Sequence, residues 1–481
     1  MTDRRWWGLL TLIVVLTLAR VATTHRVFSQ TIDEGTHLLA GYEILTRGIT
    51  TEMMHPPLPR MLFAVPFMNE PQPRVEPRYH ELLLRNDRYT QNLARARMGN
   101  LVFLALGIVA VALWGRRLFS PVAGLIAAGV YASLPPILAH GGVATTDMAA
   151  AATLPLALYF LTVLLDRAPA PAERAGSAWS AVLKGAVPLG LAIALGMLCK
   201  YSFVVYFPAC ALVLVIVRRR LPWKELVLSA IVAGAIVAMV IPPAAYAEGL
   251  RVVSKMNGDP PKAVLFGEVR PGGWWYYFPV ALFFKTPIPF LILALIGCWR
   301  RRELALIAGV ILAIAMTSNI NIGVRHILPI YAALAVAVAA VRVRWTTIAL
   351  LAWLVGGSAL AHPDYLPWSN VLAGPEPHRV LNDSNLDWGQ DVLRLVRLCR
   401  DEKISAITTS VATTAPLDRI GLPPRTELQA MQPAHGWVAI SELNIALGRD
   451  ISPEVRVWLD ELLRGRDYRR VGKSIRLYRF E

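Results

Sequence analysis

Residues 33–60 read DEGTHLLAGYEILTRGITTEMMHPPLPR and follow the first long apolar run of the chain. Two adjacent carboxylates, Asp33 and Glu34, therefore lie just beyond a segment long enough to cross a bilayer. His55 and Arg60 follow in a turn with two consecutive prolines, which fix the backbone direction. Ionisable groups at membrane depth are costly, so this stretch predicts chemistry on a molecule held in the bilayer; the alternative is that Asp33 and Glu34 only begin a helix and that His55 is incidental to the proline turn.

The composition is that of a polytopic membrane protein. Of the 481 residues 55% are hydrophobic, and the mean hydropathy is +0.46, above the apolar share of an ordinary soluble domain. We predict eleven spans, near residues 7–24, 98–115, 120–138, 148–165, 183–199, 202–217, 225–246, 278–298, 303–319, 324–341 and 345–361. The first resembles a signal peptide, but no convincing small-x-small cleavage motif follows, so we interpret it as an uncleaved span.

The net charge of +16 also has a membrane explanation. A basic chain can bind nucleic acid, but here much of the Lys and Arg excess lies at span ends, as the positive-inside rule expects, so we expect no nucleic-acid partner. With eleven spans, basic clusters such as Arg218–Arg220 fall on one side, which is the predicted cytoplasmic side. Isolated polar motifs such as Asp33-Glu34 and Arg325-His326 fall on the other. A wrong number of spans would have placed basic clusters and isolated polar motifs on the same side.

The chain divides into two predicted domains. Residues 1–361 contain the spans and a long first outer loop, about 25–97. After residue 362 the long apolar runs stop, and residues 362–481 are enough for a small soluble domain. Short apolar runs and helical patterns in this part predict a mixed α/β domain on the outer side. The strands are expected near 406–411 and 436–440, and the helices near 391–399 and 454–463.

Further polar groups fall on the predicted outer side. His140 and Asp147 flank a loop of small residues, which lets backbone approach a ligand closely; the alternative is that Asp147 only begins the next helix. Lys200, Lys285 and Arg325, with His326 beside it, are cations at span ends. They either extend to the interface or bind a phosphate.

A polar stretch opens the C-terminal part. Asp383, Asn385 and Asp387 have the spacing that begins a calcium loop. The glycine comes one position late and Arg394 occupies the place of the closing glutamate, so we exclude an EF-hand. A substrate contact on the acceptor side, or a looser metal site, remains as an interpretation.

Together these motifs resemble the GT-C membrane glycosyltransferases, above all the protein O-mannosyltransferase branch (glycosyltransferase family 39 and its bacterial relatives), and next the aminoarabinose transferases of lipid A. The resemblance rests on the acidic pair Asp33-Glu34, on His55-Pro56-Pro57-Leu58, on Thr145-Thr146-Asp147, on Arg325-His326 and on the stretch 382–391. It implies a GT-C fold and an active site at the outer face of the bacterial cytoplasmic membrane. The eukaryotic enzymes' MIR insertion is not evident here.

The resemblance also implies a reaction. A sugar, with mannose as the family's suggestion, would move from a polyprenyl-phosphate donor to a hydroxyl of a protein, lipid or glycan acceptor. Asp33 would be the general base and Glu34 would support it. The donor phosphate would be met by basic and neighbouring polar residues, which are His55, Arg60, His140, Asp147, Lys200, Lys285, Arg325 and His326. We expect residues 362–481 to recognise the acceptor.

Two other classes of protein fit less well. A secondary transporter or lipid flippase places ionisable residues near mid-span and often has inverted repeats, whereas here the charges lie at span ends and no repeat is evident. A non-catalytic scaffold leaves the clustered acids and cations without a reason.

No metal or other cofactor is expected. The four cysteines contain no CxxC pair, so neither a disulfide framework nor a zinc site is predicted. GT-C enzymes occur with and without a divalent ion. His55 could ligate one with Asp33, Glu34 and Asp147, but no ligand spacing here is diagnostic.

Overall fold

The computed structural model describes residues 1–49, 52–167 and 175–481, and most of them are helical. The part before residue 362 contains helices α1 to α17 among the described residues. In chain order they are Asp3–Ala22, Glu34–Arg47, Pro57–Ala64, Arg78–Leu84, Tyr89–Leu118, Pro121–Tyr131, Pro135–Gly141, Asp147–Leu165, Ala175–Cys199, Phe203–Arg218, Trp223–Val240, Pro243–Gly258, Tyr277–Lys285, Ile288–Arg300, Arg302–Met316, Ile330–Val338 and Trp345–Leu360. A hairpin of β1 (Lys262–Leu265) and β2 (Glu268–Pro271) joins α12 to α13.

Several of these helices are long and apolar enough to cross a membrane. Over the described ranges there are five, namely α1, α5, α8, α9 and α11, and seven if the bent pairs α6–α7 and α13–α14 each count as one span. Each of the eleven predicted segments coincides with a helix or a helix pair. The predicted segments that are not among these seven spans contain shorter helices. The protein is thus a multi-pass membrane protein.

Two segments predicted as straight spans, near 120–138 and 278–298, are broken. Helices α6 and α7 meet at 70°, and α13 and α14 meet at 116°. Prolines stand in the first turn of the second helix in each pair, where their missing N–H is tolerated, whereas inside a continuous helix they would clash with the preceding turn. The sharper bend leaves Lys285, the last residue of α13, buried in the protein.

The first outer loop folds back onto the helical core. Helices α2 and α3 pack so closely that a Cβ at Gly41 would lie 1.9 Å from the carbonyl oxygen of Arg60. Only glycine allows this approach. A Cβ at Gly99 of α5 would likewise lie 2.5 Å from the Leu62 carbonyl oxygen. The two contacts hold the acidic start of α2 beside the HPP turn before α3.

The C-terminal part is a mixed α/β unit, as predicted. Its elements are α18 (Val392–Asp401), β3 (Ile407–Ser410), β4 (Arg425–Glu427), β5 (Gly436–Ser441), α19 (Glu442–Gly448), α20 (Pro453–Leu463), β6 (Tyr468–Val471) and β7 (Ile475–Phe480). The strand order is β4-β3-β5-β7-β6. Strand β3 is parallel to β4 and β5, and β7 is antiparallel to β5 and β6.

The entry to this unit is hydrogen-bonded to the segment that precedes α2. The Ser29 amide donates to the Gln390 carbonyl at 3.0 Å, and the Ile32 amide donates to the Trp388 carbonyl at 3.1 Å. The Ser29 hydroxyl donates to the Gly389 carbonyl at 2.8 Å. Two regions more than 350 residues apart in sequence therefore meet directly beside Asp33.

Candidate active site

Four alternating charges form the centre of the site. The Arg325 guanidinium lies 2.6 Å from a carboxylate oxygen of Asp33 and 3.8 Å from one of Asp147. The Lys200 ammonium contacts the other oxygen of Asp147. The Asp33 side chain is 29% exposed whereas that of Asp147 is 3% exposed, so Asp33 is the carboxylate that a ligand can reach.

The local folds explain why these groups converge. Asp33 immediately precedes α2, Asp147 begins α8, Lys200 follows α9, and Arg325 lies in the short 3-10 turn Val324–Ile327. These helix ends share one face of the helical core, and Trp388 completes the arrangement, with its ring 4.4 Å from the Arg325 guanidinium carbon.

Asp33 is held in its charged form. Its partial burial would raise the pKa of the carboxyl, but the Arg325 guanidinium, together with His37 and His55, holds that pKa below its ordinary value. An ionised carboxylate with an exposed oxygen can accept a proton from a hydroxyl that binds beside it.

Both carboxylate oxygens of Glu34, by contrast, are hydrogen-bonded within the protein. Its two oxygens accept bonds from Arg97 at 2.8 and 2.7 Å, from the Ala144 amide at 2.7 Å and from the Thr31 amide at 2.8 Å. Arg97 donates further to the carbonyls of residues 25, 28 and 29. Both side chains are 1% exposed, so the pair fixes the segment before Asp33 and offers no open oxygen to a ligand.

Several buried polar atoms around the centre have no hydrogen-bond partner among the described residues. They include Arg325 Nε, Asp147 Oδ2, His140 Nδ1 and Thr145 Oγ1. Buried polar groups are normally paired, because leaving one unpaired costs about 1–3 kcal/mol. Their concentration beside Asp33 is typical of a site that binds a polar ligand.

Known proteins resemble this chain in sequence and in fold. Residues 90–246 match the family model of the dolichyl-phosphate-mannose-protein mannosyltransferases. Among solved structures, ArnT from Cupriavidus metallidurans bound to undecaprenyl phosphate is similar over 98% of both chains, with a TM-score of 0.51 and 13% identity. The chain has the GT-C glycosyltransferase fold. The resemblance inferred from the motifs is therefore confirmed.

Further solved structures are also similar to the chain. The apo structure of the same ArnT gives the same TM-score of 0.51 and identity of 13% over 98% of both chains. The apo oligosaccharyltransferase of Archaeoglobus fulgidus gives a TM-score of 0.46 and 14% identity over 90% of this chain and 62% of that chain. No curated protein matches in sequence.

Among the cations predicted to bind phosphate, Arg60 and Lys285 contact protein groups. Arg60 is fully buried and bonds to Glu52 and to backbone carbonyls before α3. Lys285 donates to the carbonyls of Leu366 and Asn385, each at 2.7 Å, and to that of residue 368. Both side chains therefore hold loops in place.

The predicted histidines lie at different depths. His140 is 2% exposed and its ring centroid lies 6.0 Å from that of Trp388. His326 is half-buried beside Phe278, with 6.2 Å between ring centroids. His55 is 26% exposed and stands in a separate group with Glu52 and residue 37.

The acceptor-side candidates play distinct structural parts. Asn385 accepts a bond from the Val324 amide at 2.9 Å and donates to the Tyr277 hydroxyl at 2.8 Å, which fixes the turn that carries Arg325. Burial raises the pKa of Asp383 to about 6, although the Arg325 charge opposes the shift. Asp387 accepts from the Leu443 amide at 2.8 Å, and burial raises its pKa to about 7.

Sequence reasoning missed four residues of this region: His37, Glu52, Arg97 and Trp388. Arg97 had a usable signal, since it is a charge directly before a predicted span. Trp388 lies inside the noted stretch 382–391. His37 and Glu52 sit in the opening stretch but carry no spacing that distinguishes them.

Proposed function

We propose that this protein is a membrane glycosyltransferase that moves a sugar from a polyprenyl-phosphate donor to a hydroxyl acceptor, with Asp33 as general base. The observation that carries the proposal is the accessible, ionised Asp33 carboxylate, which is held by Arg325 beside buried polar atoms that lack partners. Support comes from the GT-C fold and from the undecaprenyl phosphate bound by the similar ArnT.

In this mechanism Asp33 accepts the proton of the acceptor hydroxyl as its oxygen attacks the anomeric carbon. The bond from that carbon to the donor phosphate oxygen breaks, and the electron pair leaves with the polyprenyl phosphate. One displacement inverts the anomeric centre. Arg325 Nε, which has no partner among the described residues, is the donor available to the leaving phosphate. Asp147 lies 3.8 Å from the Arg325 guanidinium and is itself paired with Lys200, so the two acids and two bases of the centre balance in charge.

The finer parts of the proposal come from the sequence. Mannose is the sugar that the family suggests, and the acceptor is a hydroxyl of a protein, a lipid or a glycan. The site and residues 362–481 would lie on the outer side of the bacterial cytoplasmic membrane, because the basic clusters fall on the opposite face.

A transfer assay tests this function. Purified protein in lipid nanodiscs is given radiolabelled polyprenyl-phosphate sugars with and without cell-envelope acceptors. Asp33→Asn should reduce transfer by at least about 100-fold, since general-base catalysis typically contributes 10²–10⁴-fold. The matched control is Asp401→Asn, the same change at an aspartate that is 65% exposed on the C-terminal unit, and it should transfer normally.

Near-normal transfer by a correctly folded Asp33→Asn protein would refute the role of Asp33. If no donor is consumed while labelled lipid crosses the bilayer intact in proteoliposomes, the transporter interpretation replaces the enzyme.

A further inference from the structure

Beside the charged centre lies a second polar group, formed by His37, Glu52 and His55. Each offers one ligand atom, and these three atoms lie within 4.8 Å of one another. The imidazoles meet edge to face, with centroids 4.6 Å apart and planes at 87°. His55 Nδ1 lies 3.5 Å from a Glu52 oxygen. We propose that these residues bind a divalent transition-metal ion of the zinc class.

The ligand set favours this class of ion. Two imidazoles and one carboxylate are a known zinc set with three protein ligands, and they leave a fourth position for water or another oxygen. Mg²⁺ and Ca²⁺ prefer oxygen ligands alone, so they fit poorly. Tetrahedral zinc separates its ligand atoms by about 3.3 Å, given bonds of about 2.0–2.1 Å, so small side-chain rotations would close the group around the ion.

The hydrogen bonding supports a ligand role over simple packing. Nδ1 of His37 is buried without a hydrogen-bond partner in the described part of the chain, and Nδ1 of His55 has only the loose 3.5 Å contact with Glu52. Imidazoles that only fill a core normally satisfy these atoms. His55 and Glu52 remain 26% and 20% exposed, which gives an ion a route to the group.

The surroundings resemble the outer shell of a metal site. Arg60 contacts the Glu52 carboxylate, donates to the Glu52 carbonyl at 3.0 Å and bonds to the His55 carbonyl. Such outer contacts orient metal ligands. His37 lies one helical turn after Asp33 on α2, so an ion here would tie α2 to the HPP turn beside the proposed base. The site keeps His55 but uses His37 and Glu52 in place of Asp33, Glu34 and Asp147, because only His37, Glu52 and His55 bring their ligand atoms this close together among the described residues.

Metal content tests this inference independently of transfer activity. Full-length protein in nanodiscs is stripped with a chelator, titrated with Zn²⁺ and then with Co²⁺, and analysed for bound metal and for the visible absorption of tetrahedral Co²⁺. Wild type should bind about one Zn²⁺ per chain, and His37→Ala and His55→Ala should each weaken binding by at least about 100-fold, beyond the 10–100-fold typical of outer-shell changes. The matched control is His435→Ala, at an exposed histidine of the C-terminal unit.

Two results would overturn the site: wild type that takes up no more Zn²⁺ than the double variant His37→Ala/His55→Ala, or uptake that both single variants leave unchanged. If a variant fails to fold, the wild-type protein still decides the matter. The site requires that chelation lower its thermal midpoint and that Zn²⁺, but not Mg²⁺, restore it; an unchanged midpoint together with no bound metal refutes the inference.

Discussion

Glu34 and Asp33 are neighbours in sequence, yet the structure predicts opposite consequences for their loss. Glu34 shares four short hydrogen bonds with Arg97 and two backbone amides, all buried. Asp33 presents an exposed oxygen. We expect Glu34→Ala to lower the free energy of unfolding strongly, and Asp33→Asn to remove activity at a smaller cost in stability, because Arg325 keeps Asp147 as a charged partner.

The size of the Glu34 effect follows from the contacts. Breaking a buried ion pair by removing one partner costs about 3–5 kcal/mol, because the remaining charge stays buried. Arg97 keeps three backbone carbonyl acceptors at 2.8–3.1 Å, which limits the free-energy cost of removing Glu34. The amides of Thr31 and Ala144 lose their acceptor, which adds to the cost. We expect a total near 4 kcal/mol, since such terms overlap.

The assay is reversible unfolding in mixed micelles of a mild detergent and dodecyl sulfate, followed by tryptophan fluorescence. Arg97→Met and the double variant Glu34→Ala/Arg97→Met complete a double-mutant cycle. The double variant should be less destabilised than the sum of the single variants, because it removes both buried charges. A loss of less than about 1 kcal/mol in Glu34→Ala, or simple additivity in the cycle, would refute the structural role of the pair.

Two further predictions concern the C-terminal unit. Burial raises the pKa of Asp387 to about 7, so the folded chain keeps a proton that the unfolded chain releases near pH 4, and wild-type stability should fall as the pH rises between these values. Asp387→Asn should flatten this slope, and equal slopes from about pH 4 to pH 7 would contradict the prediction. Lys285→Met removes three hydrogen bonds to loop carbonyls. It should lower the free energy of unfolding by about 2–3 kcal/mol and make the chain after residue 362 more sensitive to proteolysis. An unchanged cleavage pattern would argue against a role of Lys285 in holding these loops.

The sequence predicted what depends on local pattern. Hydropathy located eleven segments that each coincide with a helix or a helix pair, although only five to seven of the described ones are long and apolar enough to cross a membrane, and the C-terminal strands and helices appeared near their predicted places. It failed at the breaks in two spans, although Pro135-Pro136 and Pro287 stood at the bends. A run of apolar residues reports that a segment is buried, but whether a proline bends it depends on what its neighbours pack against.

The candidate site was predicted as a set of residues but not as a set of contacts. That Asp33, Asp147, Lys200 and Arg325 share one face followed from the span count, whereas their pairing did not. Glu34 was placed with the chemistry because it adjoins Asp33, and only the position of Arg97, 63 residues away, gives it a structural role. Pairings of this length follow from tertiary packing, which no local period encodes.

The same packing changes how the C-terminal unit should be tested. Deletion of residues 362–481 is the simplest test of acceptor recognition to design. The deletion would, however, remove the partners of the hydrogen bonds that Ser29 and Ile32 make just before Asp33. It would also remove Trp388, whose ring packs against the Arg325 guanidinium. Transfer would then be lost whichever part of the chain recognises the acceptor. Substitutions in the cleft of about 540 Å³ beside β3 and β4, lined by Asp418, Arg425 and Asn444, leave those bonds intact and address acceptor recognition alone.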